Sequence, residues 1–389
     1  MNRSRIARYS PAALAVTVVL VVAACSSGRS TDASPSSTLT GPVASSAPSG
    51  AVRVDEMMTG LDHPWDVVLD SAGSIVTGER SGRIMVRHND GRVDQVRADT
   101  GDVRARGEGG LMGLALARDF DTSRSVYTCF ASTAGDVRVV RWTAAPDWTS
   151  MTRVQDVLTG IPLSASGRHS GCRILPAPDG TLFVSTGDTA NPTVAQDLRS
   201  LGGKVLHVNG DGSAAGGTIP GTRIHSYGHR NPQGMAFLPG TDRLYTTEHG
   251  PTTDDEMNLE AAGANYGWDP DTGDGSYDES VPMTDTGKFP DAQRAVWSSG
   301  SPTLAVADLD VLGSSWKQYS GMVVVAALKA QRLVLLRLSP DGRSTTERVD
   351  LLQGSQGRLR SVTTAPDGSL LVTTDNGDGA DKVLRVGPA

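Results

Sequence analysis

Short apolar runs separated by turn residues recur along the chain from about residue 51 onward. None of these runs extends into a long stretch with the 3.6-residue periodicity of an amphipathic helix. Several consist of two strand-like runs around a turn such as Pro-Asp-Gly, which is the pattern of a β-hairpin. The sequence therefore predicts hairpins over 67–79, 173–188, 234–248 and 361–375.

The hairpins return at irregular spacing from one end of this region to the other. A ring of four-stranded units explains such a recurring module, because ring closure leaves few strand edges exposed and gathers loops around a central channel. About 335 residues at about 40 to 50 per unit give six to eight blades. We therefore predict an all-β propeller, and a pair of β-sandwiches is the alternative fold.

The N-terminus has the features of an export signal. Three arginines within the first eight residues precede an apolar run over 12–24 that is too short to span a bilayer. The run ends in Val22-Ala23-Ala24-Cys25, which resembles a bacterial lipobox. This pattern predicts a signal peptide over 1–24 and a lipidated Cys25 that anchors the protein on the extracytoplasmic face of the cell membrane; a plain signal peptide with an incidental cysteine is the alternative.

Residues 26 to about 50 are almost entirely Ser, Thr, Ala, Gly and Pro. This composition buries too little apolar surface to order itself, so 25–50 are predicted to be a lipidated, disordered tether. The formal charge of the whole chain is -7, and no Lys/Arg-rich run stands out. Nucleic acid is therefore not an expected partner.

Two cysteines remain after Cys25, namely Cys129 and Cys172. The compartment outside the cytoplasm permits disulfides, so these two residues are candidates for a bridge. Two buried thiols that behave as small apolar side chains are the alternative.

Polar residues concentrate at turns in the middle of the chain. Gly228-His229-Arg230-Asn231-Pro232-Gln233-Gly234 is followed by Glu248-His249-Gly250-Pro251 and by an acidic turn over 254–256. Ionisable groups at this density on turns are typical of a ligand site. Each cluster taken alone also fits a structural role.

The order of several such blocks resembles the glucose/sorbosone dehydrogenase family from Leu61 to Arg385. The blocks are 107–113, 167–171, 228–234, 248–259, 327–333 and 357–362. Better known members are soluble sugar dehydrogenases that use pyrroloquinoline quinone (PQQ) on a six-bladed β-propeller. The resemblance implies such a propeller over 51–389, which oxidises an aldose or related hydroxyl compound and passes electrons to an unidentified acceptor.

The resemblance also assigns catalytic roles. His169 would be the general base that takes the sugar's hydroxyl proton while hydride passes to the quinone, and an imidazole with an ordinary pKa of about 6.5 suits that task. Asp188 would orient His169 or hold Arg168. Arg230 would stabilise the negative charge that develops on the quinone, and Asn231 would donate a hydrogen bond to the cofactor.

Further cofactor contacts follow from the same blocks. Lys329, Arg358 and Arg360 match residues that meet the carboxylates and the quinone face of PQQ in the family. Arg358 and Arg360 would share one face of a strand, as a polyanionic ligand requires. Glu108 occupies a cofactor position at which sugar-oxidising members carry glutamine, and its carboxylate would repel those of PQQ unless it is paired.

Calcium is the second cofactor that the resemblance implies. The main-chain carbonyls of Gly250 and Pro251 match ligands of an ion that also binds PQQ, and oxygen donors in a fixed turn suit this hard cation. A second ion would take the Glu256 carboxylate and the Tyr266 main-chain carbonyl.

Two departures from the family pattern concern the part of the pocket that would face the substrate. The first is Ser301-Pro302-Thr303-Leu304, which lacks a glycine that many members have, and the second is an expected insert over 306–313. They leave open a propeller that acts as a cell-surface binding or scaffold module. A calcium-dependent lactonase is a third possibility by analogy of fold alone. The sequence contains no Gly-x-Ser-x-Gly or His-Glu-x-x-His motif for other hydrolytic chemistry.

Overall fold

The structure is a computed structural model that describes residues 44–46 and 52–389. The predicted signal peptide over 1–24, the lipidation site Cys25 and most of the predicted tether lie outside these residues. Within the described part of the chain, no helix has the length and apolar character needed to cross a membrane.

The described residues form 25 strands in six sheets, one of five strands and five of four. In chain order the strands are β1 (Ala44–Ser46), β2 (Val52–Leu61), β3 (Pro64–Leu69), β4 (Ile75–Glu79), β5 (Ile84–Arg87), β6 (Val93–Val96), β7 (Leu111–Leu116), β8 (Ser125–Ala131), β9 (Val137–Ala144), β10 (Met151–Ile161), β11 (Ile174–Pro176), β12 (Leu182–Thr186), β13 (Lys204–Val208), β14 (Ile224–Tyr227), β15 (Pro232–Phe237), β16 (Leu244–Glu248), β17 (Glu256–Leu259), β18 (Trp297–Ser298), β19 (Val306–Val311), β20 (Val323–Ala327), β21 (Arg332–Leu338), β22 (Thr345–Leu351), β23 (Leu359–Thr364), β24 (Leu370–Thr374) and β25 (Asp381–Pro388). Two short helical segments accompany them, α1 (Phe120–Ser123) and a 3-10 helix (Ser314–Tyr319).

Each sheet is one blade of a propeller. Five blades are antiparallel meanders of consecutive strands, β3 to β6, β7 to β10, β11 to β14, β15 to β18 and β19 to β22. The sixth combines β23, β24 and β25 with the N-terminal strand β2, whose pairing with β25 closes the ring. The first strand of each blade contacts the first strands of both neighbouring blades, from β3 through β23 and back to β3. This confirms the predicted six-bladed propeller.

The core lies between adjacent blades rather than at one centre. The second strands of five blades are buried at every residue because blades pack against both of their faces; these strands are β4, β12, β16, β20 and β24. One apolar cluster joins the second and third blades through residues such as Val139 and Ile174, and another joins the fifth and sixth through Leu335 and Leu370. Apolar contacts between neighbouring blades therefore hold the ring together.

All four predicted hairpins are confirmed, and each joins the first two strands of a blade. The blades that the sequence pattern missed carry helical segments in this connection, α1 in the second blade and the 3-10 helix in the fifth. The expectation of an insert over 306–313 is wrong, because Val306–Val311 is β19, the innermost strand of the fifth blade. Asp308 and Asp310 interrupt the apolar pattern of this strand. Asp308 is buried and Asp310 half-buried, and both carboxylates accept backbone hydrogen bonds.

Part of the segment predicted to be a disordered tether is ordered. Ala44–Ser46 forms β1, which pairs in parallel with Arg348–Asp350 of β22. The physical reason is that β22 is the outermost strand of its blade and offers unpaired backbone groups to any extended segment nearby.

Candidate active site at one rim of the ring

The antiparallel blades bring the predicted site residues to one rim. In an antiparallel hairpin the first strand begins where the second strand ends. Arg230 and Asn231 directly precede β15, and Arg358 directly precedes β23. Gly250 and Pro251 follow the end of β16 on the same side of the ring. Sequence blocks that are far apart along the chain therefore meet around one mouth of the channel.

His169 is buried and is held by Asp188. Its Nδ1 lies 2.8 Å from Oδ1 of Asp188, whose other oxygen accepts hydrogen bonds from Trp268 Nε1 and Tyr277 Oη, each at 2.7 Å. Because a carboxylate with these donors acts as an acceptor, Nδ1 of His169 carries the proton and Nε2 keeps its lone pair. Of the two roles proposed for Asp188, the structure shows the one toward His169, since Arg168 pairs with Glu279 instead.

The loop that carries His169 is fixed from three sides. A disulfide joins Cys172 to Cys129 of β8, and the backbone N–H of Gly171 donates to Oδ1 of Asn231 at 3.1 Å. Gly187 packs so closely beneath the loop that a Cβ there would lie 2.0 Å from the carbonyl oxygen of His169. Only glycine allows this approach, and the loop therefore has little freedom to move.

Arg230 is buried with its guanidinium in the wall of the site. It donates to the carbonyl oxygen of His249 at 2.9 Å and to Oε1 of Glu279 at 2.6 Å, and it lies over the ring of Trp268. Its Nε is buried without a hydrogen-bond partner among the described residues. A buried donor left in this way indicates a contact that a ligand could complete.

His249 is a site residue that the sequence blocks contained but that we did not assign. Its Nε2 is also buried without a hydrogen-bond partner in the described part of the chain. Burial lowers the pKa of His249 well below its usual value, and the positive charges of Arg230 and Arg360 lower it further. The imidazole of His249 is therefore neutral.

Glu108 is hydrogen-bonded to Asn231 and forms no ion pair with an arginine of the described chain. Its Oε2 accepts hydrogen bonds from Asn231 Nδ2 at 2.9 Å and from Gln233 Nε2 at 3.4 Å. Gln233 in turn accepts a hydrogen bond from Arg360 NH1 at 3.2 Å. Glu108 is thus linked directly to Asn231 and, through Gln233, to Arg360; the sequence had suggested no role for Gln233.

Asp375 holds the two arginines of the last block. Arg360 NH2 donates to Oδ2 of Asp375 at 2.6 Å, and Arg358 Nε donates to its carbonyl oxygen at 3.1 Å. His63 Nδ1 lies 2.5 Å from the other carboxylate oxygen. Burial acts to raise the pKa of Asp375, but Arg360 and His63 outweigh it and keep this pKa below its usual value.

A cavity of about 530 Å³ opens beside Glu108 and the Arg358–Arg360–Asp375 group. Residues that line it include Arg80, Glu108, Arg168, Arg358 and Arg360. Four guanidinium groups and two carboxylates, those of Glu108 and Asp375, line the cavity, so its walls carry a net positive charge, as a ligand with several carboxylates requires.

Lys329 is not part of this group. Its exposed side chain lies 3.3 Å from the hydroxyl of Thr303, and it forms no hydrogen bond or ion pair with another predicted cofactor residue in the described chain. Lys329 follows β20, the second strand of its blade, and its side chain lies against the loop that contains Thr303.

Three of the four predicted calcium ligands, Gly250, Pro251 and Glu256, lie on one loop and the strand that follows it. Gly250 and Pro251 follow β16, and the carboxylate of Asp255 holds their turn by accepting hydrogen bonds from the backbone N–H groups of Gly250, Leu304 and Ala305. Within the described residues, neither the Gly250 nor the Pro251 carbonyl accepts a hydrogen bond. Both oxygens are therefore available to a cation.

Glu256 is a buried carboxylate with no positive partner among the described residues. It accepts hydrogen bonds only from Thr284 Oγ1 at 3.1 Å and Asn258 Nδ2 at 3.4 Å. Burial, together with the nearby carboxylate of Glu248, raises its pKa to about 8. Asn258 Oδ1 is buried beside it without a partner. These oxygens are suitable ligands for a hard divalent cation. The ring of Tyr266, the other predicted ligand residue, stacks on the ring of His229.

Comparisons with known proteins agree with this geometry. A sequence model of the Glucose / Sorbosone dehydrogenase family matches residues 61–385. The chain is 30% identical to the aldose sugar dehydrogenase YliI of Escherichia coli K12 over 364 residues, which cover 87% of this chain and 93% of that protein. The PQQ-bound aldose sugar dehydrogenase of Streptomyces coelicolor has a similar structure, with a TM-score of 0.70 and 29% identity over 88% of this chain and 99% of that one. The apo form of the soluble aldose sugar dehydrogenase of Escherichia coli gives a TM-score of 0.75 and 28% identity over 87% and 100%.

Proposed function

Because the chain belongs to the glucose/sorbosone dehydrogenase family, we propose that it is a PQQ-dependent dehydrogenase that oxidises an aldose sugar or a related hydroxyl compound. Its relatives are sugar dehydrogenases, and one of them has been solved with PQQ bound. The proposal extends that chemistry to this chain.

One observation carries the proposal. Two polar atoms of the site wall, Nε of Arg230 and Nε2 of His249, are buried without partners among the described residues. The charges of Arg230, Arg358 and Arg360 all act on His249, and Arg358 and Arg360 line the cavity of the site. A flat, polyanionic cofactor would complete these hydrogen bonds and neutralise the guanidinium groups.

The chain's own residues supply the acid-base part of the reaction. When bound, PQQ supplies a quinone that accepts hydride from the carbon bearing the hydroxyl group. Nε2 of His169 takes the hydroxyl proton, and the carboxylate of Asp188 stabilises the imidazolium that results. Arg230 places a permanent positive charge where negative charge develops, and Asn231 adds a neutral donor. The substrate thus loses one proton and one hydride and becomes a carbonyl compound.

Calcium belongs to the same proposal. The free carbonyls of Gly250 and Pro251 would hold one ion at the cofactor site. The carboxylate of Glu256 and the main-chain carbonyl of Tyr266 would hold a second ion within the fourth blade. In both places a divalent cation would be the positively charged partner that these oxygens lack among the described residues.

The scaffold alternative makes a different structural prediction. An inactive propeller would pair Arg358 internally with Glu108 and fill the cavity with side chains. Arg358 instead bonds to the carbonyl oxygen of Asp375, and Glu108 bonds to two amides beside an open cavity. These contacts favour a ligand-binding propeller.

The experiment that tests the proposed function is a titration of the purified protein with PQQ in the presence of calcium, followed by calorimetry and absorbance. Binding with a stoichiometry near one, together with aldose-dependent reduction of a dye, is the expected result. His169→Ala should bind PQQ and lose at least about 100-fold in dye reduction. Failure of the wild-type protein to bind PQQ would refute the proposal.

We also propose that Cys25 carries a lipid that anchors the enzyme to the outer face of the cell membrane, near an electron acceptor still to be identified. The lipobox and the arginines before it support this proposal. Expressed at full length in a bacterial host, the wild-type protein should fractionate with membranes, whereas Cys25→Ser should not. Equal distribution of the two proteins would contradict the anchor.

A further inference from the structure

One carboxylate oxygen bridges two guanidinium groups at the edge of the site. Oε1 of Glu279 lies 2.5 Å from NH2 of Arg168 and 2.6 Å from NH2 of Arg230. Burial acts to raise the pKa of Glu279, but the hydrogen bonds from Arg230 and Arg168 outweigh it and hold this pKa below its usual value. Glu279 is therefore an anion held by two cations.

The same stretch of chain covers the catalytic pair. Tyr277, two residues before Glu279, donates its hydroxyl proton to Asp188 at 2.7 Å, and the same hydroxyl lies 3.4 Å from Nδ1 of His169. The guanidinium of Arg168 lies over the ring of Tyr277 at 5.8 Å. Glu279 is therefore bonded to Arg168, the residue that directly precedes His169, and follows closely on a side chain that contacts the His169–Asp188 pair.

The two arginines differ in their surroundings. The side chain of Arg230 is 5% exposed, whereas that of Arg168 is 42% exposed and lines the cavity of the site. Each planar guanidinium can present two parallel N–H groups to a carboxylate. Together they form a site for a carboxylate, and in this structure a side chain of the protein itself occupies that site.

We propose that Arg168 and Arg230 form an anion-binding site and that Glu279, by occupying it, makes the protein select neutral sugars over sugars that carry a carboxylate. A hexuronate would meet the negative charge of Glu279 at the entrance and would find both guanidinium groups already paired. A neutral aldose meets neither obstacle. That the ligand is a sugar rests on the proposed function, while the anion site rests only on the geometry.

Calorimetry of the protein without added cofactor tests the anion site, with glucuronate and glucose as probes. Glu279→Ala empties the site, and Glu279→Gln removes only the charge. We expect Glu279→Ala to bind glucuronate at least about tenfold more tightly than the wild type does, which corresponds to about 1.4 kcal/mol. Glu279→Gln should show a smaller gain, and the affinity for glucose should change by less than about twofold in either variant.

Two further variants make the result specific. Arg168→Gln combined with Glu279→Ala should lose the gain for glucuronate, because one of the two guanidinium groups is gone. Glu347→Ala removes a carboxylate that pairs with Arg337 on the outer strands of the fifth blade, and it should behave as the wild type does. Equal binding of glucuronate by the wild type and Glu279→Ala would overturn the proposal, as would a gain that persists in the double variant.

The outcome for the anion site can be separated from the outcome for the proposed function. After reconstitution with calcium and PQQ, the ratio of kcat/KM for glucuronate to that for glucose should rise in Glu279→Ala. A gain in glucuronate binding without any dye reduction would support the anion site and refute the dehydrogenase. If Glu279→Ala reduces the dye but shows the wild-type kcat/KM ratio and the wild-type affinity for glucuronate, the dehydrogenase would be supported and the anion site refuted.

Discussion

Nδ1 of His169 and Oδ1 of Asp188 lie 2.8 Å apart in a buried wall of the propeller. This pair determines which nitrogen of the imidazole can accept a proton. Because Trp268 and Tyr277 donate to the other oxygen of Asp188, the carboxylate cannot turn away from the histidine without losing two further hydrogen bonds. The direction of the base is therefore built into the fold before any ligand binds.

Asp188→Asn should lower kcat for aldose oxidation by at least about 100-fold, because an amide no longer stabilises the imidazolium and can impose the wrong tautomer on His169. The Kd for PQQ should stay within about threefold of the wild type, since Asp188 contacts His169 rather than the cavity. Tyr277→Phe removes one donor to Asp188 and leaves the tautomer unchanged, so it should cost less than about tenfold. Steady-state kinetics measures kcat, and calorimetry measures the Kd for PQQ. If Asp188→Asn retained more than half of the wild-type kcat, the role of Asp188 would be contradicted.

Glu108→Gln should tighten the binding of PQQ by about three- to tenfold. The glutamine oxygen can still accept the hydrogen bonds of Asn231 and Gln233, while one negative charge beside the polyanionic cofactor is removed. Arg358→Gln, in which a partly exposed cation is lost, should weaken binding by a similar factor. Both shifts should shrink at high salt. Weaker binding by Glu108→Gln would show that its carboxylate serves as an acceptor for the cofactor instead.

The position of the site could be predicted because its motifs are attached to hairpins. The block from Gly228 to Gly234 leads directly into β15, and Gly357-Arg358-Leu359-Arg360 leads into β23, so recognising these strands already places both blocks at one end of a hairpin. Antiparallel pairing then brings them to the same rim. Local pattern was sufficient for this part of the structure.

Other features depend on contacts that no local pattern contains. Asp308 looked like part of a polar insert, because the guanidinium of Arg173 that lies 3.3 Å from it comes from another blade. Glu279 lies 49 residues beyond Arg230 in an irregular segment, and nothing in its neighbourhood indicates the pairing. Lys329 was predicted to contact the cofactor, but the direction of a long, exposed side chain is set by its neighbours in space, and its Nζ lies near the hydroxyl of Thr303.

Calcium should raise the thermal midpoint of the wild-type protein, and Glu256→Gln should lose part of this response. A ligand at 100 times its Kd stabilises the folded state by about 2.7 kcal/mol. Without calcium the glutamine variant should be the more stable of the two, because it no longer buries a carboxylate beside Glu248. Differential scanning calorimetry with calcium, with magnesium and with a chelator tests this, and Glu347→Gln is the surface control. An identical calcium response in both proteins would remove Glu256 from the ligands.

Because of Asp308, the protein should become less stable as the pH rises into the alkaline range. Asp308 is buried on β19, the innermost strand of the fifth blade, where it shares Arg173 with Asp66. Burial raises the pKa of Asp308 to about 8; the charge of Arg173 opposes this shift and that of Asp66 adds to it. A carboxyl group whose pKa is higher in the folded than in the unfolded protein stabilises the fold fully below about pH 4, and this contribution is lost as the pH rises through about 8.

Asp308→Asn is neutral at every pH and keeps an oxygen that can accept the hydrogen bond from the backbone of Val362. The thermal midpoint of the variant minus that of the wild type should therefore be larger at pH 9 than at pH 5, by about 2 °C or more. Asp90→Asn, at an exposed turn, should follow the wild type throughout. A constant difference between Asp308→Asn and the wild type over this range would mean that Arg173 keeps Asp308 ionised, and that the buried cluster carries a fixed charge rather than a titrating one.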